Sequence, residues 1–438
     1  MRPPSAREVA LQCLLAGERR GAWSDGYLRN SIRKAGLDRR DAALCTHLTF
    51  GILQNRMLLD WHIGRLSSTS MEKLEVPVLN CLRLGIYQLL FLDRIPVHAA
   101  VNESVDLAKQ YSRNPRSAAL VNAVLRAFDR GKGELPQPEA LSIRYSHPEW
   151  LVKEFSNTLP QEEIEALLTA DNSQPPTQVQ VNTRKTSPEA LMEELSQAGI
   201  QVTPHPWLPD CLELEGTGDL EGLPAFREGR FYVQDAAARL AVLASGAAPG
   251  MRVLDACAAP GGKSFAAAVA MDDRGSILSC DLHPHKKKLI EDGARRLGLS
   301  CITASIMDGR QLDPTLEGRF DLVIADVPCS GLGIIRKKPD IRYKDPAPLE
   351  NLPAIQRDIL ANVSHYVRPG GTLLYATCTL LRRENENVVS SFLDKHHNFT
   401  LSPFQLPGSV GQTEEMVTLW PHRHGTDGFF IARLRRKG

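Results

Sequence analysis

The sequence predicts an α/β protein in which a Rossmann-like domain follows an all-helical domain and a small α/β insert. After Arg252, short apolar runs alternate with helical stretches. The runs RVLDA, SILSCD, DLVIAD and GTLLYAT predict buried parallel strands, because strands covered on both faces are apolar throughout. Before residue 135 apolar residues recur at helical spacing, and between the two regions TQVQVNTRK alternates like a strand. Since a doubly wound sheet binds ligands at the carboxyl ends of its strands, functional residues are expected there.

Length and composition exclude several classes of protein. A chain of 438 residues suggests two to four domains, and its 42% hydrophobic residues exclude wholesale disorder and a collagen-like fibre. No apolar run approaches the roughly 18 residues of a membrane helix. The first residues also lack the apolar core of a signal peptide. We therefore expect a cytoplasmic protein without a membrane partner.

The nine cysteines predict reduced thiols. They are odd in number, scattered from Cys13 to Cys378 and free of any C-x-x-C pair, which fits neither a disulfide framework nor a zinc site. His422 and His424 could suggest a metal, but two histidines without a third ligand are typical of packing or turn residues. We expect no metal.

Five amphipathic stripes predict a small helical bundle in the N-terminal part. They lie at 9–15, 42–53, 78–90, 97–108 and 118–128, and Ser5-x-x-Glu8 is a candidate capping box before the first. Lys and Arg outnumber Asp and Glu in this part, whereas the remainder has an acidic excess. That asymmetry favours nucleic acid as the partner of the bundle. An ordinary solvated helical surface explains it equally well.

The first strand of the Rossmann-like domain runs into DACAAPGGKS, residues 255–264, and then into a helix. The glycine pair lets a ligand approach the backbone where the helix presents free N–H groups, so we expect a nucleotide-like cofactor. A phosphate-binding P-loop is the alternative, although Cys257 stands where its first glycine belongs. Asp281 ends the second strand and favours an adenosine cofactor held by its ribose. Asp308 follows the third strand, either near the base or as a loop or cap residue.

Two further motifs place cysteines at strand ends: DVPCSG contains Cys329 and YATCTL contains Cys378. A buried structural role is common for one such cysteine, but two at one sheet edge indicate chemistry. Carbon 5 of a pyrimidine is too weak a nucleophile to attack a sulfonium methyl group unaided, and a thiolate adding to carbon 6 activates it. Asp326 could donate to ring nitrogen 3, and a second thiol or a water could assist release of the product. The sequence leaves open what ionises the attacking thiol.

These motifs, with YVQDAAA and HGTDGFFIARL, resemble the Nop2/Sun family of S-adenosylmethionine-dependent RNA cytosine-5 methyltransferases. VNESVDLAKQY and LVNAVLRAF resemble the NusB-like RNA-binding domain. The resemblance implies a NusB-like domain at 1–140, a small α/β (RRM-like) subdomain at 141–238 and a Rossmann-like methyltransferase domain at 239–438. It also implies S-adenosyl-L-methionine as the cofactor and 16S ribosomal RNA as the partner, with cytosine 967 as the target. Methylation of transfer RNA, a non-catalytic assembly factor and an ATP-dependent RNA factor are the alternatives.

The resemblance also implies roles for individual residues. Cys378 would be the nucleophile, Cys329 would help to release the product and Asp326 would contact the cytosine. Cys329 as the nucleophile, as in DNA cytosine methyltransferases, is the alternative within this chemistry. Cofactor contacts are implied for Cys257, Ala258, Ala259, Pro260, Gly261, Gly262, Lys263, Asp281, Asp308 and Asp326. We expect a monomer.

Two polar segments are candidate RNA contacts. Arg336, Lys337 and Lys338, together with Arg342, follow the Cys329 motif and could bind flanking phosphates. A solvated surface turn is an equal alternative. Asn182-Thr-Arg184 on the small insert is a second candidate, with an ordinary strand end as its alternative.

Overall fold

The computed structural model describes residues 3–20, 25–132, 135–413 and 415–438. The chain forms two compact units, one of Met1–Ser173 with Lys338–Lys344 and one of Gln174–Lys337 with Asp345–Gly438. The helices of the first unit are α1 (Ala6–Arg20), α2 (Asp25–Ala35), α3 (Arg39–Gln54), α4 (Arg56–Leu66), α5 (Val76–Phe91), α6 (Val97–Tyr111), α7 (Ser117–Gly131), α8 (Leu141–Arg144), α9 (Glu149–Ser156) and α10 (Gln161–Asp171).

The all-helical character of the N-terminal part is confirmed, but the predicted number of helices is wrong. Five helices were predicted, whereas the described residues up to Gly131 contain seven α-helices, α1 to α7. The search for apolar residues at helical spacing missed two helices. Helix α2 is mostly polar, and in α4 the apolar and polar side chains do not segregate to two faces. Half of the predicted capping box is present at α1, where the Glu8 N–H donates to Ser5 Oγ at 3.3 Å. The Glu8 carboxylate instead accepts from Gln110 and Tyr111. Helix α5 is buried around most of its circumference and forms the centre of the bundle.

The second unit begins with the predicted small α/β insert. Its elements are β1 (Thr177–Val181), α11 (Pro188–Gln197), β2 (Gln201–Pro204), β3 (Cys211–Glu215), α12 (Pro224–Arg227) and β4 (Phe231–Val233). The four strands pair antiparallel in the order β2-β3-β1-β4. Leu191 and Leu195 bury one face of α11 in the core beneath this sheet.

The rest of the second unit is the predicted Rossmann-like domain. Its elements are α13 (Ala236–Ser245), β5 (Arg252–Asp255), α14 (Gly262–Ala270), β6 (Ser276–Asp281), α15 (Pro284–Leu297), β7 (Ile302–Ile306), β8 (Phe320–Asp326), α16 (Leu352–Ser364), β9 (Val367–Thr377), α17 (Glu386–Leu393), β10 (Phe399–Leu401), β11 (Phe404–Gln405), β12 (Gln412–Thr413), β13 (Met416–Leu419), α18 (Pro421–His424) and β14 (Phe429–Arg436). No helix in the described ranges is long and apolar enough to cross a membrane.

The strand order of this domain brings the candidate residues to one edge. The main sheet runs β10-β14-β9-β8-β5-β6-β7, and β5 to β9 are parallel. Strands β5, β6 and β8 end at Asp255, Asp281 and Asp326, and Cys378 follows the last residue of β9. Because parallel strands end on the same side, these residues share the carboxyl edge of the sheet. The antiparallel strand β14, which pairs with β9, was not predicted as a strand.

Candidate active site

The two cysteine motifs meet at the carboxyl ends of β8 and β9. Cys329 Sγ lies 3.2 Å from Cys378 Sγ. The neighbouring strands set this approach, since Asp326 is paired in register with Ala376. The structure thus brings together two thiols that are 49 residues apart in sequence.

Hydrogen bonds between the two loops fix the approach of the thiols. Ser330 Oγ and Thr379 Oγ1 are 2.7 Å apart, and the Gly333 N–H donates to Cys378 O at 2.9 Å. The Gly428 N–H then donates to Gly333 O at 2.7 Å. A Cβ atom at Gly333 would lie 2.0 Å from Gly428 O, so only glycine permits this backbone contact. The Cys329 loop is therefore held from both sides.

The environment of Cys329 favours its neutral thiol. The hydrogen bond with Cys378, burial and the negative charges of Glu384 and Asp326 hold the pKa of Cys329 well above its ordinary value. A protonated Cys329 can donate to the sulfur of Cys378.

Lys263 and Asp326 form an ion pair beside the thiols. Lys263 Nζ donates to Asp326 Oδ2 at 2.5 Å and lies 4.9 Å from the centre of the Phe429 ring. Burial alone would lower the pKa of Lys263, but the charges of Asp326, Asp255 and Cys378 raise it above its ordinary value. Lys263 is therefore an ammonium that favours negative charge on these groups. The sequence named Lys263 and Asp326 separately and did not predict their contact.

The loop after β5 has the form of a cofactor cradle. Gly261 has φ +112°, and a Cβ atom there would lie 2.4 Å from the Phe265 ring. Gly262 begins α14, whose first N–H groups are available to a ligand at a helix start. Asp281 ends β6 as an acceptor for hydroxyl groups, with Lys286 Nζ 3.6 Å from its Oδ2. These residues fit an adenosine cofactor whose sugar is bound by Asp281 and which the protein backbone of the loop contacts.

The P-loop alternative fails on the side chains of Lys263 and Ser264. In a P-loop the lysine reaches the phosphates and the hydroxyl binds Mg²⁺. Here Lys263 pairs with Asp326, and the fully buried Ser264 donates its hydroxyl to Asp255 at 2.7 Å. Burial is the main cause that raises the pKa of Asp255 to about 7. The loop is therefore not arranged to hold a nucleotide triphosphate.

Asp308 occupies a loop, as one of its two interpretations predicts. The backbone N–H, Nε and Nη2 of Arg310 donate to its carboxylate at 2.8–3.0 Å. The hydrogen bonds to Arg310 lower the pKa of Asp308 below its ordinary value. The neighbouring Gly309 lies against Cys257, since a Cβ atom there would be 4.0 Å from its sulfur. The Asp308 loop thus borders the cradle, although the carboxylate itself is engaged by Arg310.

The prediction that Arg336 and Lys337 bind phosphates is wrong. Arg336 is buried and donates to Asp427 and to Gly425 O, both at 3.0 Å. Lys337 donates to Asp235 and to Asp427. Both aspartates belong to motifs quoted in the sequence, YVQD and HGTDG, but their partners lie about 90 to 100 residues away. Counter-charges from distant segments convert a basic run into a buried ionic cluster.

The prediction for Arg342 is also wrong. Within the first unit Arg342 is fully buried, and its Nη1 donates to Gln54 O at 3.2 Å and to Asn172 Oδ1 at 2.8 Å. Tyr343 beside it donates to Leu53 O at 2.9 Å. Only Lys338 of the basic segment is exposed. Arg342 and Tyr343 therefore stabilise the fold of the first unit.

The second candidate RNA contact is structural. Asn182 is buried and its Nδ2 donates to Gly229 O and Leu297 O, both at 2.9 Å. Arg184 donates to Gly298 O at 3.2 Å and lies 3.4 Å from Asp273. These residues join the small insert to the Rossmann-like domain, as a strand end would.

The histidines near the C-terminus, His422 and His424, belong to the short helix α18. His424 Nδ1 accepts the Trp420 N–H at 2.7 Å. Over the described ranges, no group of three or more His, Cys, Asp or Glu side chains is arranged to hold a metal ion.

Comparison with known proteins decides the family. The chain is 37% identical to the probable ribosomal RNA small subunit methyltransferase B of Bacillus subtilis, over 100% of both chains. The chain belongs to the RsmB/Sun family of ribosomal RNA methyltransferases. An RsmB relative from Synechocystis is 35% identical over 99% of both chains. The model of the 16S rRNA methyltransferase RsmB/F family matches residues 243–435, the NusB family matches 4–130 and the RsmF/B-like ferredoxin-like domain matches 147–221.

Solved structures share the fold of this RsmB family member. The crystal structure of PH0851 is 26% identical and has a TM-score of 0.83 over 100% of this chain and 99% of that one. NSun6 from Pyrococcus horikoshii with SFG is 23% identical, with a TM-score of 0.58 over 66% of this chain and 98% of that one, and it shows the fold alone. The expected fold class is confirmed, and so is S-adenosylmethionine as the cofactor, because the RsmB family depends on it.

Proposed function

We propose that this chain methylates carbon 5 of a cytosine in 16S ribosomal RNA, at cytosine 967, through a covalent bond between Cys378 and carbon 6. The observation that carries the proposal is the thiol pair at 3.2 Å, in which Cys329 keeps its proton. A methyltransferase acting on an amine or a hydroxyl has no use for such a pair. Carbon 5 of cytosine does, because it must first be activated by a nucleophile.

The chemistry assigns one step to each group. The thiolate of Cys378 adds to carbon 6, and the electron pair moves into the ring toward nitrogen 3. Asp326, held by Lys263, would accept a hydrogen bond from the 4-amino group. The proton that neutralises nitrogen 3 after the addition would come from the Lys263–Asp326 pair and return to it when the ring is restored. When bound, S-adenosylmethionine supplies an electrophilic methyl group that carbon 5 accepts. Loss of the carbon 5 proton then expels the Cys378 sulfur and restores the aromatic ring.

Cys329 is suited to the release step because of what raises its pKa. The first cause is the hydrogen bond with Cys378, and the charge of Cys378 contributes as well. Both vanish once Cys378 is bonded to carbon 6 as an uncharged thioether. The pKa of Cys329 then falls, so its proton can pass to solvent, and the thiolate that remains can take the carbon 5 proton. The raised pKa of Cys329 before the addition also disfavours it as the nucleophile, because a thiol that keeps its proton attacks carbon 6 poorly.

The residues proposed to hold the cofactor are Cys257, Ala258, Ala259, Pro260, Gly261, Gly262, Lys263, Asp281, Asp308 and Asp326. The backbone of the Gly261 loop would face the cofactor, and Asp281 would accept hydrogen bonds from the ribose hydroxyls of the cofactor. We also propose the division at 140 and 238 into RNA-binding, linking and catalytic segments. The three family models support it, since each matches within one of these segments.

The experiment is methyl transfer to unmodified 16S ribosomal RNA, followed by mass spectrometry of the nucleosides and mapping of the modified position. Wild-type protein should produce 5-methylcytidine, and Cys378→Ala should produce none. Cys301→Ala is the matched control, because this thiol lies outside the proposed site and should be dispensable. Transfer RNA is the competing substrate. Methylation of transfer RNA alone, another methylated nucleoside, or full activity of Cys378→Ala would contradict the proposal.

A further inference from the structure

Asn385 contacts both neighbours of Cys378. Glu384 contacts one neighbour of Cys329 directly and the other through Gln356. Glu384 and Asn385 lie between Cys378 and α17 and are 0% and 1% exposed. Neither has a role in the chemistry described above, and neither was singled out in the sequence. Their only sequence signal is a polar run, ENEN, directly before a helix.

Asn385 holds the Cys378 loop. Thr377 Oγ1 donates to Asn385 Oδ1 at 2.6 Å, and Asn385 Nδ2 donates to Thr379 O at 2.9 Å. Asparagine at the N-cap of a helix usually accepts a hydrogen bond from the first turn. Asn385 is at the N-cap of α17, yet its side chain makes no capping bond. Its amide is used instead on the two neighbours of Cys378.

Glu384 holds the Cys329 loop. Its Oε2 accepts the Ser330 N–H and Gln356 Nε2, both at 2.9 Å. The same Gln356 Nε2 donates to Pro328 O at 3.0 Å, so both neighbours of Cys329 are fixed. A carboxylate suits this position because both of its partners are donors. The hydroxyl of Tyr375 donates to Glu384 O at 2.5 Å, which connects the backbone of Glu384 to β9.

We propose that Glu384 and Asn385 form a positioning pair that sets the Cys329 and Cys378 loops so that both thiols act on one base. The proposal rests on the proposed function. Asn385 governs formation of the adduct, since it orients the nucleophile, and Glu384 governs release, since it orients Cys329. Both residues are buried, so each would act through the loop that it holds.

The charge of Glu384 gives a second, independent readout. It is one of the causes that raise the pKa of Cys329, after the hydrogen bond with Cys378 and burial. Replacing this carboxylate by an amide should therefore move the pH profile of Cys329 alkylation to lower pH. A residue that merely stabilised the fold would leave that profile in place.

The test compares Asn385→Ala and Glu384→Gln with the control Asn387→Ala, an exposed position on α17. Asn385→Ala should lower kcat by about 100-fold with KM within about twofold, the scale of a misplaced reacting group. In a Cys329→Ala background it should also form little RNA-linked protein. Glu384→Gln with Cys329 intact should instead accumulate the RNA-linked species, because release depends on the position of Cys329 more than on its pKa. Asn387→Ala should match wild type, and unfolding temperature and cofactor affinity are measured for every variant.

A second measurement separates this proposal from the proposed function. Phenylarsine oxide bridges two thiols that lie close together, and its retention against an excess of a monothiol requires no RNA. Wild-type protein should retain it, Cys329→Ala should not, and both positioning variants should release it. If Cys329→Ala forms no adduct, the proposed function fails and the arsenical result alone decides the positioning role. Retention of the arsenical together with wild-type turnover in both variants would overturn that role. Should Asn385→Ala not fold, the isosteric Asn385→Asp, which cannot donate to Thr379 O, replaces it.

Discussion

Replacing Lys263 by methionine should destabilise the catalytic unit by an amount set by the burial of its ion pair. The side chain of Lys263 is 11% exposed and that of Asp326 is 28% exposed, with Nζ and Oδ2 2.5 Å apart. Removing one partner of a fully buried pair costs about 3–5 kcal/mol, and an exposed pair contributes about 0–1 kcal/mol. Because water reaches Asp326, Lys263→Met should cost about 2 kcal/mol of unfolding free energy. Asp326→Asn leaves the more buried ammonium unpaired and should cost about 3 kcal/mol.

The assay is urea-induced unfolding of the cofactor-free protein in a double-mutant cycle. The double variant Lys263→Met/Asp326→Asn leaves no unpaired charge. Its loss of unfolding free energy should therefore be about 2 kcal/mol smaller than the sum of the two single losses. Lys288→Met is the matched control: its side chain is 74% exposed and pairs with Asp292 at 2.8 Å. It should change stability by less than about 0.5 kcal/mol. Single effects that add within about 0.5 kcal/mol would refute the argument that the pair acts as a buried unit.

Three further predictions concern stability and the cradle. Asp255 has its pKa raised to about 7 in the folded state, so its contribution to stability is present at acidic pH and is lost as the pH rises through 7. Asp255→Asn should therefore shrink the difference in unfolding free energy between about pH 5.5 and about pH 8.5 by about 2 kcal/mol, measured by urea titration; an unchanged difference contradicts it. Gly261→Ala should abolish cofactor binding, measured by calorimetry, because its Cβ atom collides with Phe265. The control Gly250→Ala, with φ +87° and open space around the Cβ atom, should only lower stability. Equal cofactor affinity in both variants would argue against a cradle. Arg342→Met should lower the unfolding temperature and leave the salt dependence of RNA binding unchanged, whereas Lys338→Ala, if it meets phosphate, should reduce that dependence; the reverse pattern would restore Arg342 as an RNA contact.

The strands of the catalytic sheet could be predicted because their signal is local. RVLDA, SILSCD and DLVIAD are short, mainly apolar runs, and each contains the aspartate that closes its strand. Doubly wound topology then places those aspartates on one edge without any knowledge of side-chain packing. The same argument placed Cys329 and Cys378 near one another, although only the structure shows their sulfur atoms in contact.

The remaining features depend on contacts between distant segments. Lys263 and Asp326 are 63 residues apart, and Glu384 reaches a loop 54 residues away, so no local pattern marks either contact. Arg336 was misinterpreted for the same reason, since its counter-charge Asp427 lies 91 residues further along the chain. A basic run indicates a solvated or RNA-binding surface only when no distant carboxylate neutralises it. Helix α4 was missed because its apolar residues do not form a single stripe.

The most direct test of the central claim is a denaturing gel of Cys329→Ala protein incubated with S-adenosylmethionine and unmodified 16S ribosomal RNA. The double variant Cys329→Ala/Cys378→Ala runs beside it. If Cys378 bonds to the cytosine and Cys329 serves release, the single variant should show a slow-migrating, RNA-linked band that is absent from the double variant. A band that persists without Cys378, or none in either lane when wild-type protein methylates the same RNA, would contradict the covalent account.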